Sequence, residues 1–138
     1  MSHKDAAEFV GVLLHSSTAT HFLHLQTASY AAHKALGHYY ENIVGLADKY
    51  AEAYQGHYGI IPLADYPEGF KVQKDAAKYA ESLLTFVKGI RKDLPKDTDL
   101  QNIVDEIQAE PSPCAARATS RLCTAAPPAT MNRSRSKP

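Results

Sequence analysis

The sequence of 138 residues contains no tryptophan, and its two cysteines, Cys114 and Cys123, both lie near the C-terminus. Residues 1–110 therefore have neither a disulfide framework nor a cysteine metal site, which indicates a reducing compartment. No apolar run approaches the ~18 residues that a transmembrane helix needs, and the N-terminus lacks the basic and then apolar order of a signal peptide. We expect one soluble, cytoplasmic domain with no membrane partner.

Acidic and aromatic residues are absent from the end of the chain. Residues 111–138 carry 5 Lys or Arg and no Asp or Glu, whereas residues 1–110 carry 10 Lys or Arg and 15 Asp or Glu. Pro, Ala, Ser, Thr and Arg dominate this end without a helical or strand period, which predicts a helical domain at 1–110 and a disordered basic tail at 111–138. The Arg-Ser-Arg-Ser run could contact DNA phosphates, but five cations over 28 residues are a weak electrostatic footprint, so incidental charge is the favoured interpretation.

Amphipathic periodicity dominates the rest of the chain. It predicts four helices, which cover about Asp5–Tyr30, a stretch ending in a left-handed C-cap at Gly56, Val72–Leu94 and Thr98–Glu110. Gly37 is a candidate for the turn between the first two helices. The prolines and glycines that follow Gly56 favour a long crossover rather than a tight turn. The predicted fold class is therefore all-α, a ferritin-like four-helix bundle with a long crossover between helices two and three and a shortened fourth helix.

One helix face combines imidazole and carboxylate groups. At ~100° of rotation per residue, a stripe about 100° wide contains His33, Glu41, Asp48 and Glu52. Burial of three carboxylates would require a compensating cation, most simply a metal, whereas a solvated face would require none. Both interpretations stay open. The tyrosines between Tyr39 and Tyr79 are interpreted as packing residues rather than as redox groups.

A further set of residues resembles a known family. It comprises His24-Leu25-Gln26-Thr27-Ala28-Ser29-Tyr30, His33, the Asp48-x-x-x-Glu52 step, Tyr66-Pro67 and Asp97-Thr98. Over roughly residues 7–110, this set resembles the Dps branch of the ferritin-like proteins, which protect DNA and oxidise iron, and small Dps-like proteins of tailed phages. The resemblance implies a homo-oligomer and, for a phage protein, the host cytoplasm.

The resemblance also implies an iron site between subunits, with His33 from one subunit and Asp48 and Glu52 from its neighbour. Three ligands leave coordination positions open for an oxidant, which implies ferroxidase activity. Because fifteen residues of helix span ~22 Å at 1.5 Å per residue, His33 cannot share an ion with Asp48 of the same straight helix.

This sequence departs from the family's ligand pattern at two places. Ala31-Ala32 replace a His-Trp pair, and Gly37 replaces an acidic residue. The candidates that could substitute for the missing ligands are His21, His24, His38 and Glu41. The alternative function is a non-enzymatic phage helical-bundle accessory or virion interaction protein that has lost the metal site. Gly37 favours this alternative, whereas the spacing from His33 to Asp48 and Glu52 favours iron binding.

Overall fold

A computed structural model describes residues 3–66 and 71–118, and the regular structure in these ranges is helical, without strands. The elements are α1 His3–Gln26, α2 Tyr30–Tyr58, a 3₁₀ helix Leu63–Asp65, α3 Ala76–Ile90, α4 Thr98–Ala109 and α5 Pro111–Ala118. The predicted all-α bundle is confirmed. None of the helices in these ranges is long and apolar enough to cross a membrane.

The first two helices form an antiparallel hairpin whose turn is made by Thr27, Ala28 and Ser29. Ser29 is the N-cap of α2, and its side chain accepts a hydrogen bond from the Ala32 N–H at 3.3 Å. Gly37, the candidate turn residue, lies inside α2 instead. The turn between α1 and α2 is therefore set by the N-cap serine of α2 and not by a glycine.

The second helix continues past Gly56, the residue that the sequence predicts as its end. Gly56 lies within α2, and the C-cap is Gly59, which has a φ of 89° and donates its N–H to the Gln55 carbonyl oxygen at 3.0 Å. Residues with a side chain rarely adopt this φ, so Gly59 supplies the conformation that ends the helix. The predicted C-cap at Gly56 is wrong by one turn.

The connection from α2 to α3 runs along α1. Tyr66 packs so closely on Gly11 that a Cβ there would lie 2.6 Å from its ring, and the Lys71 N–H donates to His15 Nε2 at 3.3 Å. The connection then reaches Asp75, the N-cap of α3, beside the end of α1. Because the connection passes from one end of the bundle to the other, α2 and α3 run in the same direction. The predicted long crossover is confirmed.

The last two helices, α4 and α5, run antiparallel to α2. Lys49 of α2 pairs with Glu106 of α4 at 2.8 Å, and further along Cys114 Sγ of α5 donates to the Ala35 carbonyl oxygen at 3.2 Å. The fourth helix is short, as predicted, but residues 111–118, predicted as tail, form α5 instead. Proline is well suited to the first turn of a helix, so Pro111 begins a helix here as well as ending one. The disorder predicted for the tail lies otherwise outside the described residues.

The core between the helices is rich in tyrosine. Tyr39, Tyr50 and Tyr54 are buried together with Phe9. Ser16 donates its hydroxyl hydrogen to the Leu13 carbonyl oxygen at 2.7 Å, so Tyr39 is the donor in the 2.7 Å hydrogen bond between the Tyr39 and Ser16 hydroxyls. Burial raises the pKa of Tyr39 and keeps its phenol neutral.

Candidate metal-binding face of the second helix

The outward face of α2 carries both predicted carboxylates. Asp48 and Glu52 are exposed and lie one turn apart. Within the described ranges, neither side chain forms a hydrogen bond or an ion pair. Lys49, next in sequence to Asp48, turns instead toward α4 and pairs with Glu106. The two carboxylates therefore point away from their own bundle and are free to bind something outside it.

His33 lies toward the other end of α2 and packs half-buried against α1. Its ring stacks on the ring of His24, with 3.7 Å between centroids and 23° between planes. His24 Nδ1 lies 2.8 Å from the main-chain oxygen of His33, and His33 Nδ1 lies 3.0 Å from that of His24. We call this arrangement the reciprocal histidine pair.

The reciprocal histidine pair determines which ring nitrogen is available to a ligand. A carbonyl oxygen only accepts hydrogen bonds, so each Nδ1 carries a proton and, in the neutral ring, each Nε2 keeps a lone pair. Histidines that bind metals almost always donate their other ring N–H to a carbonyl or carboxylate in this way. In both rings, Nε2 is therefore the nitrogen that is left for another partner.

An aromatic stack extends from this pair along the α1–α2 contact. Tyr40 stacks on His21 with centroids 4.1 Å apart and planes 12° apart, and its centroid lies 5.2 Å from that of His24 with the planes 72° apart. These contacts connect the end of α1 to the first half of α2. His21, a candidate substitute ligand, therefore has a packing role.

A shallow groove of about 610 Å³ lies over the first half of α2. Gly37 lines it without a side chain, and a Cβ at Gly37 would lie 3.2 Å from His24 Cε1. The groove is lined by His24, His33, Lys34, Ala35, Gly37, His38, Glu41 and Pro113. The groove lining thus contains three imidazoles, one ammonium and one carboxylate. The second half of the outward face of α2 carries the carboxylates of Asp48 and Glu52.

The remaining candidate ligands lie at the edge of this groove. His38 is exposed and contacts the Asn42 side chain, and its Nε2 lies 3.8 Å from Glu110 Oε2. Glu41 is exposed on the outward face of α2. Across residues 3–66 and 71–118, no three His, Cys, Asp or Glu side chains are placed to hold a metal ion. The predicted ligands His33, Asp48 and Glu52 do not meet within one chain.

The role of His24 was not predicted from the sequence. Its pairing with His33 depends on where the hairpin turns, and Gly37 was a misleading candidate for that turn. Once Ser29 is recognised as the N-cap, His24 and His33 lie at similar distances on either side of the turn. That near-symmetry about a capping serine is the signal that could have identified the pair.

The all-α bundle with one long crossover defines the structural class, and comparison with known proteins assigns the chain to a family. The chain belongs to a family of unknown function, DUF5856, which matches residues 24–112 and so includes the reciprocal histidine pair and all of α2. It is 30% identical over 102 residues to the "Uncharacterized 14.6 kDa protein in mobD-ri intergenic region" of Enterobacteria phage T4, which covers 74% of this chain and 78% of the relative. No solved structure matches. The chain is thus related to a small phage protein.

Proposed function

We propose that this protein binds ferrous iron between two copies of the chain, with His33 from one copy and Asp48 and Glu52 from the other. The reciprocal histidine pair carries this proposal, because it uses Nδ1 of His33 within the hairpin and keeps Nε2 for another partner, on a ring that lines an open groove. The resemblance to the Dps branch and the single long crossover, which is the connectivity of ferritin-like bundles, support it further.

The ligand set suits ferrous iron. One imidazole nitrogen and two carboxylate side chains form a mixed nitrogen and oxygen set, and three such ligands leave positions open. Iron is the substrate here, and it would supply electrons to oxygen or peroxide. The residues of the protein hold the ion, and the two carboxylates offset its charge.

An antiparallel contact between two α2 helices would bring these groups together. If the helices cross between Glu41 and Asn42, His33 lies at the level of Tyr50 in the other copy, midway between Asp48 and Glu52. A Cβ at Gly45 would meet no atom within 4 Å, so this stretch of the helix has room for a partner. Lys34 would approach the same carboxylates, which favours this orientation electrostatically.

Iron content and oligomeric mass, measured on the same preparation, test the proposal. The protein is loaded with ferrous iron without oxygen, freed of excess metal and analysed for iron per chain. We expect bound iron in an assembly of at least two copies, and its loss in Asp48→Ala and Glu52→Ala. Glu81→Ala, which removes an exposed carboxylate from α3, is the control and is expected to keep the iron. If Asp48→Ala and Glu52→Ala both keep as much iron per chain as the wild type, the proposal is contradicted.

A second candidate is a non-enzymatic phage interaction protein acting in the host cell. Two apolar side chains beside the hairpin turn favour it, because Leu25 is 70% exposed and Tyr30 is 66% exposed. Under this alternative, purified protein holds no metal, and Asp48→Ala and Glu52→Ala alter nothing except packing. The same iron measurement therefore separates the two candidates.

A further inference from the structure

Three tyrosines form a ladder along the last turns of α2. Tyr50, Tyr54 and Tyr58 are four residues apart, so they lie on one helix face. Their ring centroids are 6.2 Å apart from Tyr50 to Tyr54 and 5.1 Å apart from Tyr54 to Tyr58. Phe9 closes the buried end, with its ring centroid 4.8 Å from that of Tyr50 and the two ring planes 80° apart. The ladder leads from the core to the half-buried ring of Tyr58.

The three hydroxyls differ in what can accept their protons. The Tyr50 hydroxyl is buried and has no hydrogen-bond partner among the described residues. The Tyr54 hydroxyl lies 3.2 Å from His3 Nδ1. The Tyr58 hydroxyl donates a short hydrogen bond to the Asp97 carboxylate. A carboxylate can only accept, so Tyr58 has a fixed proton acceptor, whereas His3 Nδ1 accepts the Tyr54 hydrogen in only one tautomer of its ring.

This difference matters because a phenol becomes a strong acid when its ring loses an electron. Oxidation is therefore easiest where a base already accepts the phenolic hydrogen bond, and hardest where no acceptor is present. Asp97 raises the pKa of Tyr58, first of all through this hydrogen bond, so the phenol stays protonated until it is oxidised. Tyr58 is therefore the ring of the ladder at which proton-coupled oxidation has a fixed acceptor.

We propose that Tyr58 and Asp97 form a redox-active tyrosine site at which the Tyr50–Tyr54–Tyr58 ladder ends. A one-electron oxidant, such as a trivalent metal complex, takes one electron from the ring and is itself reduced by one unit. The phenolic proton passes from Tyr58 Oη to Asp97 Oδ2. The products are a neutral tyrosyl radical and a protonated carboxyl group. This proposal does not rest on iron binding, although the proposed iron ligands Asp48 and Glu52 flank Tyr50 in the sequence.

A purely structural role for the ladder makes a different prediction. Stacked rings contribute to packing whether or not a base accepts the terminal proton. The carboxylate on the Tyr58 hydroxyl also binds α2 to the start of α4, but accepting the phenolic proton during oxidation is a role that packing does not require. Tyr58→Phe and Asp97→Asn both remove this charge-assisted hydrogen bond, but only the second keeps a ring that can be oxidised.

Photochemical oxidation of the full chain tests the proposal. Light-excited tris(bipyridine)ruthenium(II), quenched by a cobalt(III) ammine complex, generates ruthenium(III) as the oxidant, and electron paramagnetic resonance of rapidly frozen samples measures the tyrosyl radical. We expect Tyr58→Phe to remove the largest component of the wild-type signal. Tyr30→Phe is the matched control, because Tyr30 is an exposed tyrosine of the same helix, and it should cause a smaller loss.

The Asp97→Asn variant tests the proton acceptor. We expect radical formation to slow on the order of tenfold, less than the ~100-fold that a positioned base can contribute, because water can replace the carboxylate in part. Circular dichroism verifies that each variant is folded. A signal in Tyr58→Phe equal to that in Tyr30→Phe would overturn the proposal, as would an unchanged rate in folded Asp97→Asn.

Discussion

The two ends of α2 differ in what holds their polar groups. At the C-terminal end, His57 pairs with Asp99 at 2.9 Å and Tyr58 donates to Asp97, so side chains of α2 are bound to α4. At the N-terminal end, the reciprocal histidine pair uses both Nδ1 atoms within the hairpin, and its two residues line an open groove. The polar groups at one end, the anchored end, are therefore bound to α4, whereas those at the other end line a groove, where we propose that they meet a second copy of the chain.

The largest expected effect is on the free energy of unfolding, which should respond differently to the loss of a buried and of an exposed tyrosine of α2. Tyr50→Ala should lower the free energy of unfolding by about 3–5 kcal/mol, since it empties a site in the core. Tyr30→Ala, at the exposed end of the same helix, should change it by less than about 0.5 kcal/mol. Denaturant titration measures both values. Similar losses in the two variants would show that the ends do not differ in packing.

The second largest effect is expected on the affinity for ferrous iron at the groove. His24→Ala keeps the main-chain oxygen that accepts from His33 Nδ1, but it removes the ring that stacks on His33 and the Nδ1–H that donates to the His33 carbonyl oxygen. It should therefore weaken ferrous binding about 10- to 100-fold. His57→Ala removes a histidine from the anchored end and should leave the affinity at the wild-type value. Anaerobic titration with ferrous iron measures both. An equal affinity in His24→Ala and wild type would mean that the reciprocal histidine pair does not prepare a ligand.

A smaller difference is expected between the stability changes that alanine causes at two glycines of α2. Gly56→Ala should stabilise the protein by up to about 1 kcal/mol, because a Cβ there meets open space and alanine favours a helix. Gly37→Ala should gain less, or lose stability, because its Cβ would press on His24 at 3.2 Å. Thermal melts of both variants check this order. A larger gain at Gly37 would contradict close packing under the groove.

The smallest effect is the pH dependence of the anchored end. The hydrogen bond between His57 and Asp99 raises the pKa of His57 and lowers the pKa of Asp99. The histidine contribution is fully present below its unfolded pKa of about 6.5 and is lost as pH rises through the raised value. The carboxylate contribution is present above its unfolded pKa of about 3.9 and is lost as pH falls through the lowered value.

The pair should therefore stabilise the fold most between these two unfolded pKa values. His57→Ala should destabilise the protein at about pH 5 and have less effect at about pH 9, where the wild-type imidazole is neutral. Unfolding titrations of wild type and variant at both pH values measure the difference. A larger effect at the higher pH would reverse the assigned sign.

Much of the fold could be predicted from the sequence, because apolar periodicity records which helix faces are buried. The α4 boundaries and the long crossover follow from Asp97, the prolines and that periodicity. The helix ends were harder to predict, since Gly56 and Gly59 look equivalent in sequence and differ only in backbone conformation. Pro111 was equally ambiguous, because proline both ends a helix and begins one.

The candidate site was less predictable than the fold. The sequence places Asp48 and Glu52 on one face, and the structure shows both exposed. His24 was assigned no specific role with His33, because their contact crosses a hairpin whose turn is set by Ser29. A site between copies depends on surface contacts, and these leave no periodic signal in a single sequence.

Mixing two defective variants tests the shared iron site most directly. His33→Ala and the double variant Asp48→Ala/Glu52→Ala should each bind no iron in the proposed site. When the two are dissociated, mixed and reassembled, half the two-fold dimers are mixed and each holds one complete site, so binding should return to about one quarter of the wild-type capacity. Wild-type binding by either variant alone, or no recovery in a verified mixed assembly, would contradict the account.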